Sequence, residues 1–250
     1  MRMEEPHAGI VATTITTPVV VVQFPDVWGR NISPFGLKLE AWLRLADIPY
    51  TVQPSTELGK APKGKLPYIR DDGRTIGDTT LIIEHLKATR GIDPDAGLTP
   101  RERAEALALQ RLLEEHLYFA LLYSRWIDEA GWAVLEPVLF GRVPLPARRL
   151  VARHYRRRIL RTLQLQGLGR HRSEEIYAMA QADLQALADF LGERPFLMGE
   201  QLTTIDAVAY GFLGNILYVP FETELKRIAE GFPSLVAYCE AMEVGLKGED

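Results

Sequence analysis

The chain has 250 residues, a net charge of −4, 47% hydrophobic residues and 25% charged ones. These ordinary globular proportions exclude a disordered or fibrous chain and give no overall bias toward nucleic acid or anionic membrane. A single cysteine, Cys239, excludes both an intramolecular disulfide and a redox pair of thiols, and predicts a reducing, cytoplasmic compartment.

Residues 19–24 form an apolar, β-branched run that predicts a strand buried on both faces of a mostly parallel sheet. No run reaches the roughly 20 apolar residues of a membrane span, and residues 1–5 lead into no cleavable signal, so no integral membrane segment is expected. Ser33 as N-cap and Pro34 in the first turn predict a helix, with Phe35, Leu37, Leu39, Trp42, Leu43 and Leu45 as its apolar surface. Residues 48–53 read as a second strand, giving a βαβ start. Residues 54–65 read as a loop and 66–70 as a third strand, and Asp72-Gly73 predicts a hairpin turn into a strand at 75–77. A helix follows from Asp78 and Thr79 to about residue 87.

Turn-forming residues at 91–97 predict a domain boundary, with one domain over 17–90 and a second, all-helical one over 98–250. Thr99-Pro100 starts a long helix, and further helical patterns cover 147–165, 173–191, 203–218 and 233–244. Thr203 and Asp206 have the spacing of a capping box, which fixes a core helix and implies no chemistry.

Several motifs carry no chemistry. Gly59-Lys60-Ala61-Pro62-Lys63-Gly64-Lys65 imitates a phosphate loop, but Leu66 replaces the magnesium-binding hydroxyl and Pro67 introduces a strand where a helix is required. The five histidines show no metal-ligand spacing, so no metal is expected. Arg148, Arg149, Arg153, Arg156, Arg157, Arg158 and Arg161 make a basic helix that reads as a solvated face or as a contact for an acidic partner, a membrane surface or RNA. No aromatic-basic interleaving supports a single-strand nucleic-acid platform.

Ser33-Pro34-Phe35 with Leu37-Lys38-Leu39-Glu40 and Trp42-Leu43-Arg44, then Lys65-Leu66-Pro67-Tyr68-Ile69 and Ile76-Gly77-Asp78-Thr79, occur in order. Gly167-Leu168-Gly169-Arg170-His171, Thr203-Thr204-Ile205-Asp206 and Tyr238-Cys239 follow. Through these the sequence resembles the glutathione transferase superfamily, most closely its failed-axon-connections/metaxin-like branch. The resemblance implies an α/β thioredoxin-like N-terminal domain plus an all-α C-terminal domain, with glutathione as co-substrate.

It also implies roles. Pro67 suits a cis bond that turns the backbone of Leu66 toward the cysteinyl peptide of glutathione, with an edge-strand proline as the alternative. Thr79 and nearby amides would hold the γ-glutamyl carboxylate, Asp78 its ammonium and Lys65 the glycyl carboxylate; as caps alone, Asp78 and Thr79 need no ligand. Ser33 is the candidate catalytic residue, donating a hydrogen bond to the glutathione sulfur beside the amides around Phe35, unless it is only an N-cap. Gly36 stands where dithiol members have a second cysteine.

Trp28, Tyr118, Tyr123 and Trp126 are candidates to line a pocket for a small apolar electrophile, with helix-core packing as the alternative. Two functions fit: a glutathione-dependent transferase, or a non-catalytic metaxin-like adaptor or ligand-binding protein on the same fold. The superfamily's habit implies a homodimer, and neither nucleic acid nor metal is an expected partner.

Overall fold

The computed structural model describes residues 18–246. The reading of residues 1–5, and the outer ends of the two predicted domains at residue 17 and residues 247–250, lie outside them.

Strand β1 (Val19–Gln23) leads to a hairpin of two very short strands, β2 (Asp26–Val27) and β3 (Arg30–Asn31), then helix α1 (Pro34–Leu45). After β4 (Tyr50–Pro54), a 3-10 turn at Leu58–Lys60 precedes β5 (Tyr68–Asp71), β6 (Arg74–Gly77) and α2 (Thr79–Arg90). The sheet order is β4-β1-β5-β6. Among the described residues only β1 and β4 pair in parallel; β5 runs antiparallel to both β1 and β6. The expectation of a mostly parallel sheet is therefore corrected. A continuous apolar run reports burial on both faces, not strand direction, and β5 arrives by a loop rather than a crossover helix. The Asp72-Gly73 turn is as expected, with φ of 45° and 76° between Asp71 and Arg74.

The helical part comprises α3 (Pro100–Arg111), a π-helical segment (Leu112–Leu117), α4 (Tyr118–Trp126), α5 (Glu129–Phe140), α6 (Ala147–Gln166), α7 (Ser173–Leu191), α8 (Thr204–Leu217), α9 (Glu224–Glu230) and α10 (Pro233–Gly245). Thr99 and Glu102 form a reciprocal capping box that starts α3. The single long helix expected there is interrupted by the wider π turn, and α5 and α9 were not expected.

The two parts share one core. Helix α8 lies against α1 so closely that a Cβ on Gly211 would sit 2.7 Å from Pro34 O and 2.8 Å from Lys38 N, both backbone atoms. Trp42 Nε1 donates to Thr204 Oγ1 at 3.1 Å. In the connecting segment Asp95 accepts from Thr204 N at 2.8 Å and pairs with Lys87 at 2.5 Å, tying the linker to both sides. Asp206 fixes the start of α8: its oxygens accept from Thr203 N, Thr203 Oγ1, Leu197 N and Tyr238 Oη at 2.8–2.9 Å. Burial nevertheless raises the Asp206 carboxyl above its ordinary pKa, with these donors opposing the shift.

Candidate active site

The head of α1 is built by an asparagine. Asn31 Nδ2 donates to Phe24 O at 2.7 Å, its Oδ1 accepts from Ser33 N at 3.0 Å, and its own carbonyl accepts from Asn215 Nδ2 of α8 at 3.2 Å. Ser33 is thereby held in extended conformation (φ −89°, ψ 126°) as the N-cap, with Pro34 in the first turn. Ser33 is half-buried, and its Oγ accepts from Gly36 N at 3.4 Å. That bond uses a lone pair, so the hydroxyl proton has no acceptor among the described residues and points its chemistry toward donation.

Gly36 follows from the same geometry. A Cβ there would lie 2.3 Å from Asn31 Oδ1, an atom of a fully buried side chain with hydrogen bonds at both ends. Gly36→Ala should therefore displace Asn31 and destabilise the fold by about 1–3 kcal/mol, the range for overpacking. Urea unfolding checks this, and an unchanged midpoint would show that Asn31 yields freely.

Arg125, in the last turn of α4, is buried beneath this loop and was not anticipated from the sequence. Its Nη1 donates to Ile32 O at 2.7 Å, and its Nη2 donates to Asn215 Oδ1 at 2.9 Å and to Asn215 O. The guanidinium carbon lies 5.0 Å from the centre of the Phe221 ring. Carbonyls and an aromatic face, rather than a carboxylate, hold this cation, and burial lowers its pKa to about 9.

At the second station the Leu66–Pro67 peptide bond is cis, and both residues are buried just before β5. Lys65 beside them is exposed. At the third, Asp78 caps α2: its Oδ1 accepts from Thr80 N at 3.0 Å and Leu81 N at 3.3 Å. Its φ of 84° is left-handed, a conformation that costs a non-glycine residue about 1–3 kcal/mol and concentrates at functional sites. The amide of Thr79, first in the helix, has no intrahelical acceptor. The Thr79 side chain is buried: its hydroxyl is turned into the interior, where it accepts from Lys38 Nζ at 3.1 Å, while its amide stands at the start of the helix.

Lys38 was a motif residue without an assigned role. It is fully buried and pairs with Glu114 of the π-helical segment at 2.6 Å; Gln110 Nε2 donates to the other Glu114 oxygen at 3.0 Å and to Thr80 Oγ1 at 3.1 Å. A polar chain thus joins α1, the N-terminus of α2 and the π turn. The signal for it was a lysine flanked by Leu37 and Leu39 inside an apolar helix.

The four aromatic candidates do not converge on one pocket. Trp28, at the β2–β3 turn with φ 57°, meets Phe221 edge-on at 5.3 Å, and Trp126 belongs to the same apolar cluster with Ile32, Leu135, Val219 and Phe221. Tyr118 instead packs edge-on against Phe35 at 5.1 Å, and Tyr123 against Tyr177 at 5.9 Å. Phe35 lies between Tyr118 and Phe212, as part of the core beside Ser33. Among the described residues no group of three or more His, Cys, Asp or Glu is placed to hold a metal, and no helix is long and apolar enough to cross a membrane.

Residues 34–131 match the family described as glutathione S-transferase N-terminal domain, and residues 180–242 the family of its C-terminal domain. The chain is 37% identical over 229 residues to the isoprene-epoxide–glutathione S-transferase of Rhodococcus sp. (strain AD45), covering 89% of this chain and 96% of that protein. The chain belongs to the glutathione S-transferase family. It is also 29% identical over 225 residues to failed axon connections of Drosophila melanogaster, covering 85% of this chain and 54% of that protein. Identity to metaxin-2 of Homo sapiens is 26% over 211 residues, covering 83% and 80%. Among solved structures, a glutathione transferase family member from Pseudomonas fluorescens pf-5, with two glutathiones bound, superposes with a TM-score of 0.59 at 17% identity, covering 94% and 95% of the two chains. That likeness shows the shared fold: a mixed-sheet domain followed by a helical one.

Proposed function

We propose that this family member is a glutathione-dependent transferase that binds glutathione across α1, β5 and α2 and activates its thiol for attack on a small apolar electrophile. The observation that carries this reading is Ser33: a capped helix start with an uncommitted hydroxyl proton, held by Asn31 in front of the amides around Phe35. A hydroxyl donor and the positive end of a helix both favour a thiolate over a thiol.

The γ-glutamyl end would meet the Thr79 amide and Asp78 Oδ2, the glycyl end Lys65, and the cysteinyl peptide the backbone of Leu66. An apolar epoxide is the first electrophile to assay, since the Rhodococcus relative is named for one. Trp28, edge-on to Phe221, and Trp126, in the apolar cluster that holds Phe221, support a place for it beside the β2–β3 turn. We place the protein in the cytoplasm on the strength of its one thiol, Cys239, free and fully buried, with fractionation as the check.

A second reading, a non-catalytic adaptor on the same fold, is favoured by the similarity to metaxin-2 and failed axon connections. Calorimetry with glutathione separates the two. Asp78→Asn keeps a capping oxygen and a residue tolerant of positive φ but removes the charge, so affinity should fall about tenfold, roughly 1.4 kcal/mol. Unchanged affinity would place the ligand elsewhere. No binding by the unsubstituted protein would leave the adaptor reading.

A further inference from the structure

The outer face of α6 has no part in the site described above. The helix holds seven arginines and no Asp or Glu, in a chain whose net charge is −4. Two of the arginines face inward and fasten the helix: Arg148 pairs with Glu136 of α5, and Arg156 donates to Trp126 O, Ile127 O and Glu129. The other five, Arg149, Arg153, Arg157, Arg158 and Arg161, are exposed. At about 100° per residue, Arg153, Arg157, Arg161, His154 and Arg158 share one arc of roughly 140° with Leu150 and Leu165. Those leucines lie among the cations at 74% and 72% exposure, and Leu145 just before the helix is 66% exposed.

At the C-terminal end of this arc, a cleft of about 390 Å³ is lined by Arg161, Gln164, Leu165, Gly169 and Arg170. It is formed where the Leu168–Arg170 turn closes on the helix; a Cβ on Gly169 would come within 2.7 Å of Leu163 Cβ. Two guanidinium groups and an exposed leucine border one open cleft, a set that suits a phosphate carried on an apolar chain.

We infer that this face of α6 is a docking surface for an anionic phospholipid bilayer. Charge complementarity fixes the sign of the partner. The leucines fix its class: they sit between the arginines on one convex helix, where a bilayer receives guanidinium groups at its phosphates and leucines at the acyl boundary. A nucleic acid would leave Leu150 and Leu165 in water, and the rings at this face, His154 and Tyr155, pack edge-on against each other at 5.8 Å, with Tyr155 also against Phe140, rather than forming a run on which successive bases could stack. The helix runs about 30 Å along the surface, long enough for its exposed arginines to meet several headgroups at once.

Sedimentation with extruded vesicles tests this. The protein should partition onto phosphatidylcholine vesicles containing about one quarter phosphatidylserine at 0.1 M salt, and release at 0.5 M as charges are screened. It should ignore pure phosphatidylcholine. Each cation near such a surface contributes about fivefold, so Arg153→Glu/Arg157→Glu/Arg161→Glu should lower partition by at least about a hundredfold. Leu150→Ser/Leu165→Ser, with charge unchanged, should lower it by about tenfold or more, from lost apolar burial. All five positions are exposed, so circular dichroism and unfolding midpoints should match those of the unsubstituted protein. Absence of partition, equal partition onto neutral vesicles, or indifference to the leucine changes would overturn the inference. So would tighter binding to a single-stranded RNA 20-mer in the same buffer, which would assign the face to nucleic acid.

Discussion

Lys38→Met is expected to destabilise the protein by about 3–5 kcal/mol, because it strips the counter-charge from a carboxylate that has nowhere to go. Glu114 is almost fully buried, and the Lys38 ammonium at 2.6 Å is its close ionic partner; Arg111 stands at 3.9 Å. Burial lowers the Lys38 pKa from its ordinary value, and Glu114 opposes that shift without cancelling it. The pair is therefore costly compared with two solvated ions, and removing both charges should be far milder than removing one. Lys38→Met/Glu114→Gln should recover most of the loss, giving a large coupling energy in a double-mutant cycle from urea unfolding. A double variant as damaged as the single one would show that the lysine matters through packing alone. Because Lys38 also donates to Thr79, the single variant should loosen the start of α2 and weaken glutathione binding.

That network marks where sequence reasoning stopped. Elements specified by local chemistry were legible: Ser33-Pro34 starts α1, Asp72-Gly73 turns β5 into β6, Thr99 and Glu102 box the start of α3, and Thr203 with Asp206 does so for α8. Each signal lies within four residues of what it determines. The β2–β3 hairpin escaped because its strands are two residues long, too short for any alternation to register, although Trp28 and Gly29 at φ 57° and 80° form its turn. Helix α5 was obscured by Pro137, which stands inside it and reads as a breaker. Lys38 and Arg125 were invisible as site residues for a different reason. Their partners lie 76 and 90 or more residues away, on elements whose docking no local pattern encodes. The site motifs could be located in sequence, but whether each side chain faced a ligand or the core was a tertiary matter, as Thr79 shows.

Ser33→Ala should leave glutathione affinity within about tenfold while raising the pKa of the bound thiol by roughly one to two units. Ser33 contacts only the sulfur end in this arrangement, so the anchors at Lys65, Leu66, Asp78 and Thr79 survive the change. The cost to stability should be small, about 0.5–1 kcal/mol, since the capping bond to Gly36 is long at 3.4 Å. Turnover should fall much further than affinity, because the lost hydrogen bond acts on the anion that attacks. Ultraviolet titration of the thiolate in the two complexes measures the shift directly. Identical titrations would reduce Ser33 to a helix cap and move the burden to its surroundings. Asn31 is then a poor substitute, since both ends of its amide are already bonded, to Phe24 O and to Ser33 N. The amides at the head of α1 would remain, backed by the Arg125 cation against the carbonyl of Ile32. Ser33→Cys places the same question in covalent form. A thiol at the head of α1, beside bound glutathione, should be trapped as a mixed disulfide under an added oxidant such as diamide, and released by dithiothreitol. A folded Ser33→Cys protein that binds glutathione yet never forms this adduct would put the sulfur away from residue 33, whatever the titration gave.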